Sequence, residues 1–308
     1  MKIVFMGTPE FAVPSLAALI ETGHEVAAVF TRADKPVGRK QVMTAPPVKI
    51  LAQEKGIPVF QPNTLRGAET EENIARIRPD AIVVAAYGRI LPQNILNLPR
   101  FGCVNVHGSL LPKYRGAAPI QQAVLDGEPV TGVTTMQMAE GIDTGDILLS
   151  ERTQIGPEET SGELTVRLAG IGARLLIRTL SGIEQGTVVP IPQNDAASSY
   201  ASMLTKERSP INWSHTADRI HDQVRGLSPW PGAATVFEGK KLKVRRTRRA
   251  GTGTGVPGQI LPGGELKVVC GEGTVLELLE VQPEGGKKMS GPDFLRGHPV
   301  QGTVLKNG

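Results

Sequence analysis

"KIVFMGTPEFAVPSLAALIETGHEVAAVFT", residues 2–31, decides the fold class. The apolar run 2–7 ends in Gly7, Phe11, Leu16, Leu19 and Ile20 then recur at helical spacing as far as Gly23, and a second apolar run fills 25–31. That order is strand, helix, strand. Further strand-like runs lie at "AIVVAAYG" (81–88), "GCVNVHG" (102–108), "GVTTMQM" (132–138) and "DILLS" (146–150), with helical stretches between several of them. Such alternation predicts an α/β domain with a doubly wound, mostly parallel sheet, whose sites sit at the C-terminal ends of strands. His107 stands at one of these ends.

The segment "TSGELTVRLAGIGARLLIRTLSGIEQG" (160–186) opens with Thr160 and Glu163 in capping-box register and carries Leu164, Leu168, Ile171 and Leu175 along one face. It reads as the last helix of a first domain spanning 1–188. Residues 189–206, rich in proline, alanine and serine and without a sustained period, read as a linker. The remainder, 207–308, begins with a short helix through Ala217, Ile220 and Val224 and continues as the runs "AATVFEG", "KLKVRR", "GQILPG", "LKVVCGEG" and "VLELLEV" between glycine turns. A small antiparallel β-barrel is the expectation there.

With 308 residues, 40% of them hydrophobic, the chain can bury a substantial core. It shows neither an 18-residue apolar run nor the pattern of a signal peptide, so a cytoplasmic protein that does not enter membranes is expected. Cys103 and Cys270 lie too far apart for a zinc motif, and both read as buried small hydrophobes; no metal is expected. From residue 207 onward lie 15 of the 34 Lys and Arg but only 10 of the 30 Asp and Glu. That basic tail points to an anionic partner, most often nucleic acid.

Asn105 and His107 alternate with Val104 and Val106, which puts the two polar side chains on one face of a strand. "EGIDTGD" (140–146) adds Asp143 in a glycine-bracketed loop ahead of another strand. An amide and an imidazolium can hold a tetrahedral oxyanion, at about 3–4 kcal/mol per donor, and an aspartate nearby can carry protons. The three residue types therefore suit acyl transfer without a covalent intermediate. A hydrolase triad built on Ser109 lacks the G-x-S-x-G elbow. Nicotinamide dinucleotide binding lacks its glycines, because Pro9 and Ala12 stand where G-x-G-x-x-G needs them.

"NVHGSLLPKYRGAAPI" (105–120) together with "EGIDTGDIL" (140–148) resembles the folate-dependent formyltransferases. "MGTPEFAVPSLAAL" (6–19), "TRADKPVGRK" (31–40), "PVKILAQEKGIPVFQP" (47–62) and "LSPWPGA" (227–233) extend the resemblance over nearly the whole chain. It implies a Rossmann-like formyltransferase domain followed by an OB-like barrel. It also implies that Asn105, His107 and Asp143 are the catalytic residues, and that Ser109, Leu110, Leu111 and Pro112 line the site for 10-formyltetrahydrofolate. The implied reaction moves the formyl group to the α-amino group of methionine on initiator methionyl-tRNA, in a monomer. Arg39 and Lys40 match a loop that reaches the tRNA acceptor arm. In "KKLKVRRTRR" (240–249), Lys241, Lys243 and Arg245 alternate with Leu242 and Val244, an arrangement suited to phosphate contact. Met203 and Asn212 depart from the family pattern and weaken a tRNA contact near the linker. Three alternatives keep the same core and differ in what it acts on: transfer to a sugar-nucleotide or glycinamide ribonucleotide amine, release of formate, or RNA binding without catalysis.

Overall fold

The computed structural model of the chain describes residues 1–38, 41–298, 300 and 302–308. The chain forms two compact units: residues 1–119, 131–153 and 165–201 make the first, and residues 120–130, 154–164 and 202–308 the second.

The first unit is built on a seven-stranded sheet. Its order is Ile147–Gln154, Val130–Gln137, Cys103–His107, Ala81–Ala85, Lys2–Gly7, Glu25–Phe30, Val59–Phe60. The five strands from Cys103–His107 to Val59–Phe60 pair in parallel, and Val130–Gln137 runs antiparallel to Cys103–His107. The sheet is thus mostly parallel, as the alternation of elements predicts. Ala81–Ala85 is a continuous apolar run, as expected of a central parallel strand, and every residue of it and of Cys103–His107 is buried.

Helix Val13–Glu21 has Pro14 in its first turn, where a missing N–H costs nothing. Gly23, at φ 80°, follows its end. The capping box at the start of helix Ser161–Glu184 also forms: the N–H and hydroxyl of Thr160 donate to the Glu163 carboxylate, and the Glu163 N–H donates back to Thr160 Oγ1. These bonds hold the Glu163 carboxyl below its ordinary range. The same helix lies so close to the sheet that a Cβ at Gly172 would stand 2.8 Å from Val106 Cγ1.

The second unit carries an antiparallel sheet ordered Ala233–Phe237, Lys240–Thr252, Thr274–Pro283, Lys267–Val269, with Met289–Ser290 also paired to Thr274–Pro283. Its core gathers Trp213, Ile220, Val244, Leu276, Leu278 and Phe294. The run "GQILPG" forms isolated bridges instead of a strand, with Gln259 to Val304 and Ile260 to Val268, while Val236 bridges Lys306. Gly258, held at φ 90°, and the Pro262-Gly263 turn shorten that stretch. No continuous ladder closes this sheet into a barrel among the described residues.

Cys103 and Cys270 are both buried, and burial pushes each thiol up to about 12. Both therefore stay protonated at pH 8. Iodoacetamide is expected to label neither cysteine in the native protein and both after unfolding in guanidinium; rapid native labelling would contradict the buried placement.

Candidate active site

The strand Cys103–His107 delivers its alternating side chains as the sequence predicts. Val106 meets the helix at Gly172 on one face, which leaves Asn105 and His107 on the other. His107 is the last strand residue and is 5% exposed. Its Nε2 lies 2.9 Å from the carbonyl oxygen of Tyr114. A carbonyl only accepts, so Nε2 carries a proton and donates. Nδ1 is then the ring nitrogen turned to the site. The Asp143 carboxylate stands in front of it, with Oδ2 at 3.6 Å, and Asn105 Nδ2 donates to Oδ1 of the same carboxylate at 3.4 Å. The three side chains singled out in the sequence meet. At 3.6 Å the imidazole and carboxylate are within ion-pair distance but beyond ordinary hydrogen-bond length.

Asp143 reaches this place through a tightly constrained loop. Its backbone sits at φ 54°, a left-handed conformation that costs a residue with a Cβ about 1 kcal/mol or more and that aspartate tolerates better than most. The Gly116 N–H donates to Asp143 Oδ2 at 2.8 Å, fixing the carboxylate from the opposite loop. At Gly145 a Cβ would lie 1.8 Å from the Gln137 carbonyl oxygen, so only glycine lets this loop pack on the neighbouring strand.

Ser109, Leu110, Leu111 and Pro112 form the turn that leaves His107. Ser109 is fully buried and its hydroxyl donates to the Lys113 carbonyl at 2.7 Å. The Leu111 N–H donates to Thr134 Oγ1, which in turn donates to the Ser109 carbonyl. Leu110 is half-buried against Gly132, Leu111 is buried, and Pro112 is half-buried. These bonds fix the turn that follows His107, with the Ser109 hydroxyl committed to the Lys113 carbonyl. A cavity of about 290 Å³ in the same unit is lined by Arg66, Ile90, Leu91, Pro92, Gln93, Asn94 and Glu140. Glu140 begins the loop that carries Asp143. Sequence reasoning passed over 89–94 because the stretch bears no chemical motif; its one signal is Pro92 breaking the chain before the short helix Gln93–Leu96.

A family model described as "Formyl transferase" matches residues 1–180, and one described as "Formyl transferase, C-terminal domain" matches 203–299. A methionyl-tRNA formyltransferase of Citrifermentans bemidjiense is 49% identical over 98% of this chain and 95% of its own. One of Pelobacter propionicus is 49% identical over 99% of this chain and 96% of its own.

The chain belongs to the methionyl-tRNA formyltransferase family.

Solved formyltransferase structures share the fold at low identity. An N-formyltransferase from Helicobacter canadensis, in complex with folinic acid and dTDP-3-aminofucose, has a TM-score of 0.69 at 20% identity, covering 94% of this chain and 100% of that one. HypX from Aquifex aeolicus, in complex with tetrahydrofolic acid, has a TM-score of 0.66 at 16% identity over 96% of this chain and 47% of its own. At these identities the likeness speaks to the fold.

The candidate tRNA residues of this formyltransferase lie away from the trio in sequence, and two of them, Arg39 and Lys40, fall outside the described residues. The strands flanking them, Lys35–Val37 and Val42–Thr44, pair as an antiparallel hairpin whose Val37, Val42 and Met43 are exposed. In the second unit Leu242 and Val244 are buried while Lys241 is exposed and Lys243 and Arg245 are half-buried. Arg245 Nη2 donates to Gln282 Oε1 at 2.8 Å, and a register shift between Val244 and Arg246 interrupts the alternation. Arg245 also lines a cavity of about 290 Å³ with Arg225, Arg246, Arg248 and His221. Met203 is exposed, and Asn212 accepts from the Ser214 N–H in a local turn. Among the described residues no group of His, Cys, Asp and Glu side chains could hold a metal ion, and no helix is long and apolar enough to cross a membrane.

Proposed function

We propose that this enzyme transfers the formyl group of 10-formyltetrahydrofolate to the α-amino group of methionine on initiator methionyl-tRNA, and that Asn105, His107 and Asp143 carry the chemistry. The observation that supports this most is the convergence of the three side chains, with the Asp143 carboxylate 3.6 Å from His107 Nδ1. The neutral amine attacks the formyl carbon, a C–N bond forms, and the carbonyl oxygen becomes an oxyanion. His107 Nδ1 and the second N–H of the Asn105 amide are the donors to that oxyanion in this reading. Asp143 takes the proton that the attacking nitrogen sheds and returns it as the bond to the folate nitrogen breaks, so protons balance without a covalent acyl-enzyme. All three groups come from one unit of one chain, and the reading needs no second copy.

The donor folate lies between the Ser109–Pro112 turn and the cavity formed by 90–94 and Glu140 in this reading. What supports it is that Ser109–Pro112 directly follow His107 in the chain and that Glu140, at the start of the Asp143 loop, lines the cavity. Arg39, Lys40, Lys241, Lys243 and Arg245 serve as tRNA contacts in this reading, the last three supported by the basic balance after residue 207. The OB-like barrel of the second unit draws support from the bridges Val236–Lys306 and Gln259–Val304, made by the C-terminal residues, and from the bridge Ile260–Val268. The exposed Lys241 and half-buried Lys243 and Arg245 give a separate expectation: replacing all three by glutamine raises KM for tRNA and lowers the magnitude of its salt dependence by up to about one per lost phosphate contact. An unchanged slope would remove that strand from the contact surface.

The reading is tested by mixing the protein with 10-formyltetrahydrofolate and either charged initiator tRNA or an amino-sugar nucleotide. Formyl-methionine on tRNA supports it; turnover confined to the sugar nucleotide would replace it with the alternative.

A further inference from the structure

The three site residues are not the whole of the machinery that holds the carboxylate. Gln193 Nε2 donates to two backbone carbonyls of the Asp143 loop, that of Asp143 at 2.8 Å and that of Gly145 at 2.7 Å. Its Oε1 accepts from Nε and Nη2 of Arg115 at 3.1 and 2.9 Å. Arg115 is 4% exposed and its Nη2 also donates to Asp195 Oδ1 at 2.7 Å. The guanidinium therefore fixes which end of the amide points where: oxygen to Arg115, nitrogen to the loop. Reversing the amide would put its oxygen against two carbonyls and its N–H groups against a guanidinium.

The bonds on either side of Gln193 tie the same two loops. Ile191 and Ile147 exchange N–H and carbonyl bonds at 2.8 Å, just beyond the Asp143 loop. Ser199 Oγ accepts from the Tyr114 N–H, and the Arg115 N–H donates to the Ser199 carbonyl, each at 2.9 Å. Tyr114 is the residue whose carbonyl holds His107 Nε2, and Gly116 is the residue whose N–H holds Asp143 Oδ2. Residues 191–201 thus strap together the loop that orients the imidazole and the loop that orients the carboxylate.

We infer that Gln193 is a positioning residue for formyl transfer, its amide set by Arg115, holding Asp143 in its left-handed conformation opposite His107. This rests on the role given above to Asp143. A side chain that only supported the fold would need no donor aimed at the Asp143 carbonyl itself. A glutamate at 193 has the same length and keeps the acceptor for Arg115, but it offers oxygen to both carbonyls and cannot hold the loop.

The test is a double-mutant cycle on the full chain, in single-turnover transfer from 10-formyltetrahydrofolate to initiator methionyl-tRNA. Gln193→Glu is expected to lower the rate about tenfold to a hundredfold, the size of a misplaced reacting group, with KM for both substrates nearly unchanged. In an Asp143→Asn background the same change is expected to have no further effect, because the carboxylate whose placement it governs is already gone. Gln193→Met, which removes both donor and acceptor, should behave alike and guards against a folding defect special to the glutamate. A wild-type rate in Gln193→Glu, additive losses with Asp143→Asn, or loss of the thermal transition in both variants would each overturn the inference. If Asp143→Asn itself turns over like the wild type, it is the catalytic role of Asp143 that fails.

Discussion

His107→Ala lowers the rate of formyl transfer by about two orders of magnitude or more, the usual loss when one oxyanion donor is removed from a preorganised site. The geometry says which donor is lost. Nε2 is committed to the Tyr114 carbonyl at 2.9 Å, and only Nδ1 faces Asp143 and the space beside Asn105. Deleting the ring leaves the Tyr114 carbonyl without its donor in a buried place, at a stability cost of about 1–3 kcal/mol. The fold is expected to survive, because the sheet around the strand Cys103–His107 is paired on both sides. Thermal denaturation separates the two effects: a lowered but cooperative transition with a collapsed rate is expected. A near-normal rate would remove the imidazole from the mechanism.

Gly145→Ala is expected to cost nearly as much activity while leaving every proposed catalytic side chain chemically intact. A Cβ at this position would lie 1.8 Å from the Gln137 carbonyl oxygen and 2.9 Å from its carbon, both backbone atoms of a sheet strand that cannot give way cheaply. The loop must move instead, and it carries Asp143. A shift of about 1 Å in a reacting group can cost on the order of a hundredfold in rate. The loss should appear in kcat more than in KM for tRNA, since substrate binding does not depend on that carboxylate. Gly264→Ala is the control: no atom lies within 4 Å of its Cβ position, and its activity should match the wild type. Equal activity in Gly145→Ala would show that the loop position does not govern the chemistry.

Much of the site was legible in the sequence because the signals are local. The alternation Val104, Asn105, Val106, His107 specifies which side chains share a strand face, and the Thr160–Glu163 spacing specifies how a helix begins. Asp143 was legible as a loop residue through its glycines. What could not be read is what acts across long stretches of chain. Gln193 lies 50 residues from the Asp143 carbonyl it holds and 78 from Arg115, and no period or composition marks that relation. Residues 189–206 look structureless because few of them bury apolar side chains; residues as far as Ala201 nonetheless group with the first unit through backbone bonds and single amides. "GQILPG" looked like a strand because its apolar pattern is right, but glycine at both ends limits it to bridges.

The most direct test follows formyl-methionyl-tRNA with time, using 10-formyltetrahydrofolate, charged initiator tRNA and either the native protein or Asp143→Asn. Rapid product with the native protein and at least about a tenfold slower rate with the variant are expected from a carboxylate that moves protons beside His107. Equal rates from the two proteins would contradict it.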